Sequence, residues 1–269
     1  LVMAGKSATV KSLPLFGTIV DAYKFVWERR REFFQFTLLW IIILSALQFC
    51  MGALEETTTG TVLTVIHTFT QMAVTLGFTI AWYRFLLAGA DPKNQWINIT
   101  FLRREWKLLG YGLLIGFAFM IILGVLLGIV NLGVLLFGGE VDAHKIVTAI
   151  SFILLLPVLV FFGFRFSFLS PLIALDNFGM KMFRESWDAT RTVVWKLVGF
   201  FILGFIPVLI LMGLAGVLLM WMPVAFGGGM LLAGVFEALT ALVNVLFSFF
   251  TTALSGYLVS QAYKFVHKK

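Results

Sequence analysis

The sequence predicts an all-α, polytopic integral membrane bundle: six transmembrane helices arranged as three hairpins, with cytoplasmic interfacial helices between them. Three observations carry this. Hydrophobic residues make up 61% of the 269-residue chain and charged residues 12%, with a mean hydropathy of +1.01. A water-soluble fold of this length has no core large enough for so much apolar surface. Six apolar stretches each exceed the roughly 20 helical residues needed to cross a bilayer. Of the 20 Lys and Arg residues, all but Lys145 fall at or beside one set of connections. Such asymmetry places the basic side, and with it both termini, in the cytoplasm. With no polar linker interrupting the spans, residues 1–269 read as a single transmembrane domain.

Residues 1–12 form a polar tail, with no cleavable signal peptide expected because the chain leads into Pro14, Asp21 and Lys24 rather than an apolar run. Residues 13–32 read as an amphipathic helix: Leu15, Ile19, Ala22 and Val26 recur at helical spacing beside Lys24, Glu28, Arg29, Arg30 and Arg31. A helix of this kind lies along the headgroup region. Span one runs over about 33–54 and ends at the acidic pair Glu55-Glu56. Span two, about 61–88, closes with Trp82-Tyr83-Arg84, an aromatic belt with a snorkelling cation. A basic segment with Lys93, Arg103, Arg104 and Lys107, framed by Trp96 and Trp106, leads into span three at about 108–137. Span four, about 146–170, contains Pro157 and ends at Arg165 and Pro171. Residues 176–192, with Lys181, Arg184 and Trp187, suggest another surface helix. Span five, about 193–220, contains Pro207; span six, about 230–262, leads into Lys264, His267, Lys268 and Lys269. Prolines within spans are expected to kink them.

The chain reads as one unit used three times, each a basic-aromatic surface helix followed by two spans. Arg84-Phe85 and Arg165-Phe166 are 81 residues apart, and Asp21-Ala22 has a counterpart in Asp188-Ala189. Periodic recurrence of this kind marks internal repetition.

Polar residues inside the spans are the candidates for a site. Thr64, His67, Thr68, Gln71 and Thr75 make one stripe on span two, while span six carries Glu237 and, seven residues on, Asn244. Such groups normally face a bundle interior, where they either line a cavity or hydrogen-bond helices together. Glu237 and His67 each lie about two turns from the outer end of their span, so the sequence sets them at similar depth. Glu237, His67, Gln71 and Asn244 are therefore the candidate intramembrane polar site. Arg29, Arg30, Arg31, Arg84, Arg103, Arg104, Lys107, Arg165 and Arg184 are the candidate contacts for anionic headgroups on the cytoplasmic side. In span three, Gly112-x-x-x-Gly116 and Gly124-x-x-x-Gly128 predict a close internal helix contact.

No catalytic constellation is legible. The histidines His67, His144 and His267 lack metal-ligand spacing, no phosphate loop is present, and the lone Cys50 has no activating neighbour in sequence. No metal and no cofactor are expected. The net charge of +7 flanks apolar spans together with Trp and Phe, so anionic lipid rather than nucleic acid is the expected partner.

From Arg165-Phe166-Ser167-Phe168-Leu169-Ser170-Pro171 through Phe183-Arg184-Glu185-Ser186-Trp187-Asp188-Ala189-Thr190, the chain resembles bacterial six-span membrane proteins. These are similar to the membrane domain fused to some glycerophosphodiester phosphodiesterases and to the YciC-like inner-membrane proteins. The shared pattern is an Arg-led span end, a Pro (Pro171), an acidic residue (Asp176, where Glu is more usual) and a surface helix with Ser186-Trp187. The resemblance implies a bacterial inner membrane and a helical bundle, without phosphodiesterase activity because the soluble catalytic domain is not in this sequence. The resulting expectation is a non-catalytic accessory or scaffold protein that organises lipid, docks on a larger membrane complex or self-associates. The alternative is a small transporter or lipid-handling protein using the polar site, and a membrane-embedded enzyme ranks third.

Overall fold

The structure, a computed structural model, describes residues 14–54, 58–89, 103–136, 156–157, 160–177, 179–225 and 230–267. All regular structure among them is helical. The helices are α1 (Leu15–Glu28), α2 (Arg30–Ala53), α3 (Thr58–Ala88), α4 (Arg103–Leu136), α5 (Leu169–Ala174), α6 (Lys181–Thr190), α7 (Val194–Ala225) and α8 (Met230–His267). Four of them, α2, α3, α7 and α8, are long and apolar enough to cross a membrane. The outer-loop pairs Glu55-Glu56 and Gly138-Gly139, the basic segment around Lys93 and Trp96, and residues 146–155 of the expected fourth span lie outside the described residues.

Helix α8 is the axis of the assembly. It packs on α1, α2, α3, α5 and α7, while α3 in turn packs on α2, α4 and α5. The ends bearing basic residues come together in space. Lys264 Nζ donates to the carbonyl of Leu86 at 2.8 Å, Lys196 sits 5.8 Å from the Phe265 ring, and Phe168 meets Tyr263 edge-on at 5.5 Å. The start of α7 and the ends of α3 and α8 therefore share one end of the bundle. At the other end Gln48, Leu219 and Glu237 share a groove.

Packing is concentrated at the basic end. Ile173, Leu197, Phe200, Leu254, Leu258 and Ala262 are fully buried there, in a cluster drawn from α5, α7 and α8. Toward the other end, apolar side chains such as Val62, Phe69, Leu218 and Met220 stay exposed, as lipid-facing surface should.

One residue seats the helices on α8. Trp82 is 1% exposed, and its indole Nε1 donates to the carbonyl of Ala253 at 3.0 Å. The ring stacks on Phe78 at 5.7 Å and meets the edges of Phe25, Phe33 and Phe36 from α1 and α2. It lies so close to α8 that a Cβ added to Gly256 would be 2.8 Å from the indole. Glycine is required here by proximity rather than by backbone conformation.

The sequence's amphipathic helix is real but is oriented by its neighbours. Leu15 lies against Gly199, Tyr23 donates its hydroxyl to the carbonyl of Gly204, and Trp27 shares a groove with Leu211. α1 thus runs side by side with α7, in the same direction. The acceptor of Tyr23, the Gly204 carbonyl, lies one residue past the Leu203 carbonyl that Pro207, lacking an N–H, leaves without its helical donor. Burial pushes the Tyr23 phenol above its ordinary pKa, against a smaller pull from the Val208 backbone, so the donated proton stays in place. α1 turns three faces at about 100° per residue. Thr18, Ile19, Ala22 and Val26 are buried; Asp21, Lys24 and Glu28 form a charged exposed face; Phe16, Val20 and Trp27 form an exposed apolar one.

Two features depart from the sequence reading. The helix at the end of span four stops at Arg165, turns over residues 166–168, and gives way to the six-residue α5, whose Pro171, Leu172, Ile173 and Ala174 are buried. α5 ends in a paired cap, Asp176 N–H to the Ile173 carbonyl at 3.1 Å and Asn177 N–H to Leu172 at 3.0 Å, with Asp176 at φ 63°. That left-handed position suits a short Asp better than a longer Glu. The second departure is α4. Gly112, Gly116, Gly124 and Gly128 are exposed, and a Cβ at any of them would meet no described atom within 4 Å. The expected internal glycine contact is therefore not made with any described helix.

The two tightest glycines give a paired prediction. Gly199→Ala would also put a Cβ 2.8 Å from a neighbour, but that neighbour is the free end of Leu15, which can rotate away. Gly256→Ala meets a rigid, buried indole instead. Overpacking there should cost about 1–3 kcal/mol, and the thermal midpoint in detergent should fall clearly for Gly256→Ala and hardly for Gly199→Ala. Equal midpoints would refute the account of Trp82.

Candidate functional site

Two constellations hold the residues singled out by the sequence. The first is a groove of about 370 Å³ at the end of the bundle away from the basic ends, lined by Gln48, Phe49 and Gly52 of α2, Leu219 of α7, and Phe236, Glu237 and Thr240 of α8. Glu237 is exposed into it and faces Gln48. The sequence reading set Glu237 against His67 of α3, yet no ion pair or hydrogen bond joins the two among the described residues, and His67 is not part of this groove. His67 is buried with its Nε2 lacking a hydrogen-bond partner. Gln71 is half-buried on α3, and Asn244 is exposed on α8, two turns from Glu237. Gln48 was the missed member. Its signal is an amide set in the apolar run of span one, as Gln35 also is, and it acquires meaning only once α2 is known to pack on α8.

Most hydroxyls of the polar stripe have a simpler occupation. Thr64 donates to Gly60, Thr68 to Thr64 and Thr79 to Thr75; on α8, Thr240 donates to Phe236 and Thr252 to Ser248, at 2.7–2.9 Å. Each is a bond to the carbonyl one turn back in the same helix, which satisfies the hydroxyl donor, and of these Thr240 also lines the groove.

The second constellation is the set of basic and aromatic residues at the α1–α2 corner, the end of α3, the start of α4 and helix α6. Arg29 Nη1 bonds Glu32 at 2.9 Å, and Lys24 sits 3.8 Å from Glu28. Arg30 donates to the Trp27 carbonyl at 3.1 Å and lies over the Trp27 ring at 5.3 Å, while Arg31 is exposed. Arg84 and Lys107 are half-buried, and Arg184 is 3.7 Å from Asp188 on the exposed face of α6. Arg103 and Arg104 open α4, with side chains outside the described residues.

Arg165 is engaged by the protein itself. Its guanidinium lies between Phe161 at 5.0 Å and Trp187 at 4.7 Å and donates to the Trp187 carbonyl at 3.0 Å. Its own carbonyl accepts from Ser186 at 2.9 Å and Thr190 at 3.1 Å. The Arg, the Ser-Trp pair and the Thr that carried the family resemblance thus form one joint, which fastens α6 to the helical end at residues 160–165. Asn177 and His267 extend it through Glu185, at 2.9 and 3.7 Å.

Among the described residues no group of three or more His, Cys, Asp or Glu side chains is placed to hold a metal ion. Compared with known proteins, the chain matches no family model, no curated protein and no solved structure.

The joint predicts a local effect. Arg165→Ala removes a cation–π pair and a charged hydrogen bond, together about 2 kcal/mol. Limited proteolysis should then cut between Asn177 and Lys181 faster than in the wild type, and Arg165→Lys should restore part of the protection. Unchanged cleavage in Arg165→Ala would show that α6 is held by something else.

Proposed function

We propose that this chain is a non-catalytic, multi-pass membrane protein that organises anionic lipid at the cytoplasmic face, as an accessory or scaffold in a bacterial inner membrane. The supporting observation is the gathering of basic ends. Lys264 at the end of α8, Lys196 at the start of α7 and Arg84 near the end of α3 lie at one end of the bundle with Trp195 exposed there, while Arg29–Arg31 and the exposed Trp27 stand at the α1–α2 corner, level with Leu211 of α7. Exposed tryptophan beside unburied cations is the chemistry of a headgroup layer. In this reading α4 and the segment ending at Arg165 complete a six-span, three-hairpin topology with both termini cytoplasmic. The large exposed apolar area of α4 and α7 is lipid-facing, or covered by a larger complex or a second copy.

The groove of Gln48, Glu237 and Thr240 favours a second reading, a small transporter or lipid-handling protein. A carboxylate set among apolar helices is costly unless it is hydrated, paired or used.

Three measurements test these readings. In a Cys50→Ala background, Thr58→Cys should react with an impermeant thiol reagent from outside intact cells and Asn177→Cys only after permeabilisation; the reverse pattern would overturn the orientation. Purification in mild detergent should retain phospholipid enriched in anionic species, and lipid of bulk composition would remove the lead reading. Solute uptake into vesicles that is abolished by Glu237→Gln would promote the second.

A further inference from the structure

We propose that the α1–α2 corner is a site for one anionic glycerophospholipid, with its phosphate on Arg30 and an acyl chain in the groove beneath. The inference deepens the lipid-organising reading and rests on it. The groove, of about 270 Å³, is bounded by Trp27 and Arg30 at its lip, Phe33 and Phe250 at its floor, and Leu211 and Leu246 farther along. Its size is below the roughly 300–1,000 Å³ of pockets that enclose a whole small ligand, as suits a chain lying along a surface.

Charge argues for the occupant. Both carboxylates at the corner are engaged, Glu28 with Lys24 and Glu32 with Arg29. Arg30 and Arg31 have no carboxylate partner among the described residues, so the corner carries uncompensated positive charge. Only Arg30 of the two lines the groove; Arg31 is about 100° further round the helix. Arg30 is also held in place, its Nη1 on the Trp27 carbonyl and its plane over the indole, which leaves other N–H groups of the fork for a phosphate.

Position argues the same way. α2 runs from Arg30 to Ala53, 24 residues and so about 36 Å, close to the ~30 Å hydrocarbon thickness. Arg30 therefore stands at one end of the α2 span, level with Leu211 and Leu246 rather than with Lys196 and Lys264. The exposed apolar face of α1, Phe16, Val20 and Trp27, leads to the lip of the groove. Beyond it, Phe34, Leu38 and Leu214 are exposed on α2 and α7, so a chain leaving the groove stays on apolar surface.

The test uses the full chain purified in mild detergent and native mass spectrometry with dioleoyl phosphatidylglycerol or dioleoyl phosphatidylcholine as probe. The wild type should retain the anionic lipid about fivefold better than the zwitterionic one, the preference expected of roughly one cation near the headgroup. Arg30→Gln should abolish that preference and Arg30→Lys should keep most of it, whereas Arg31→Gln should leave it nearly intact. Leu211→Trp, at a side chain more than half exposed, should fill the groove and lower retention of both lipids without unfolding the protein. Equal losses in Arg30→Gln and Arg31→Gln would reduce the effect to bulk charge and overturn the site. Retention indifferent to Leu211→Trp would overturn the groove. In either case anionic lipid retained elsewhere would leave the general reading standing, whereas no anionic preference in the wild type would sink both.

Discussion

The seating of Trp82 against α8 is the contact on which the arrangement depends. α8 offers a stretch of small residues, Ala253, Gly256, Ser260 and Ala262, and a large ring fits where it could not pass a branched side chain. The ring then presents its other surfaces to Phe25, Phe33, Phe36 and Phe85, so that α1, α2 and α3 are registered against one another through one side chain. In lipid there is little hydrophobic gain from bringing helices together, and close van der Waals contact carries more of the association. A buried indole whose N–H is satisfied by a backbone carbonyl supplies both contact area and polar closure.

Burial declines along the bundle away from this contact. At the basic end, α1, α5 and α6 fill the spaces between the long helices and the residues there are almost wholly buried. Away from it the same helices carry exposed leucine, valine and phenylalanine, and the polar groove of Gln48 and Glu237 opens between them. The bundle is fastened at one end and open at the other. The polar groove with Glu237 lies near the open end, and the α1–α2 corner with Arg30 lies between the two ends.

The apolar runs were legible in the sequence because span length is set by bilayer thickness, and four of them stand as helices of sufficient length. The basic rim was legible for the same reason, since charge cannot hide in lipid. What stayed illegible depended on which helix meets which. α5 was hidden because Leu169-Ser170-Pro171-Leu172 continues the apolar run of span four, and only the turn at residues 166–168 separates them. The path of α1 along α7 rests on Leu15 against Gly199 and on Tyr23, 181 residues away from its acceptor. Glu237 stands out in the sequence as a carboxylate within an apolar span, but its neighbour Gln48 depends on α2 packing on α8. The Arg165 joint was read as a run of similar residues, and its geometry gives that run a mechanical reason.

The position of α8 in the chain has a consequence for assembly. Every other described helix precedes it, and the seat for Trp82 lies in its second half, at residues 253–256. During synthesis the first hairpin is made with its central indole unseated, and its small aromatic cluster has no axis to close on. The contact of Trp82 with α8 can therefore form only after residues 253–256 have been made. Closure of the aromatic cluster around Trp82 thus follows synthesis of α8, and until then the indole and its neighbours lack their partner surface.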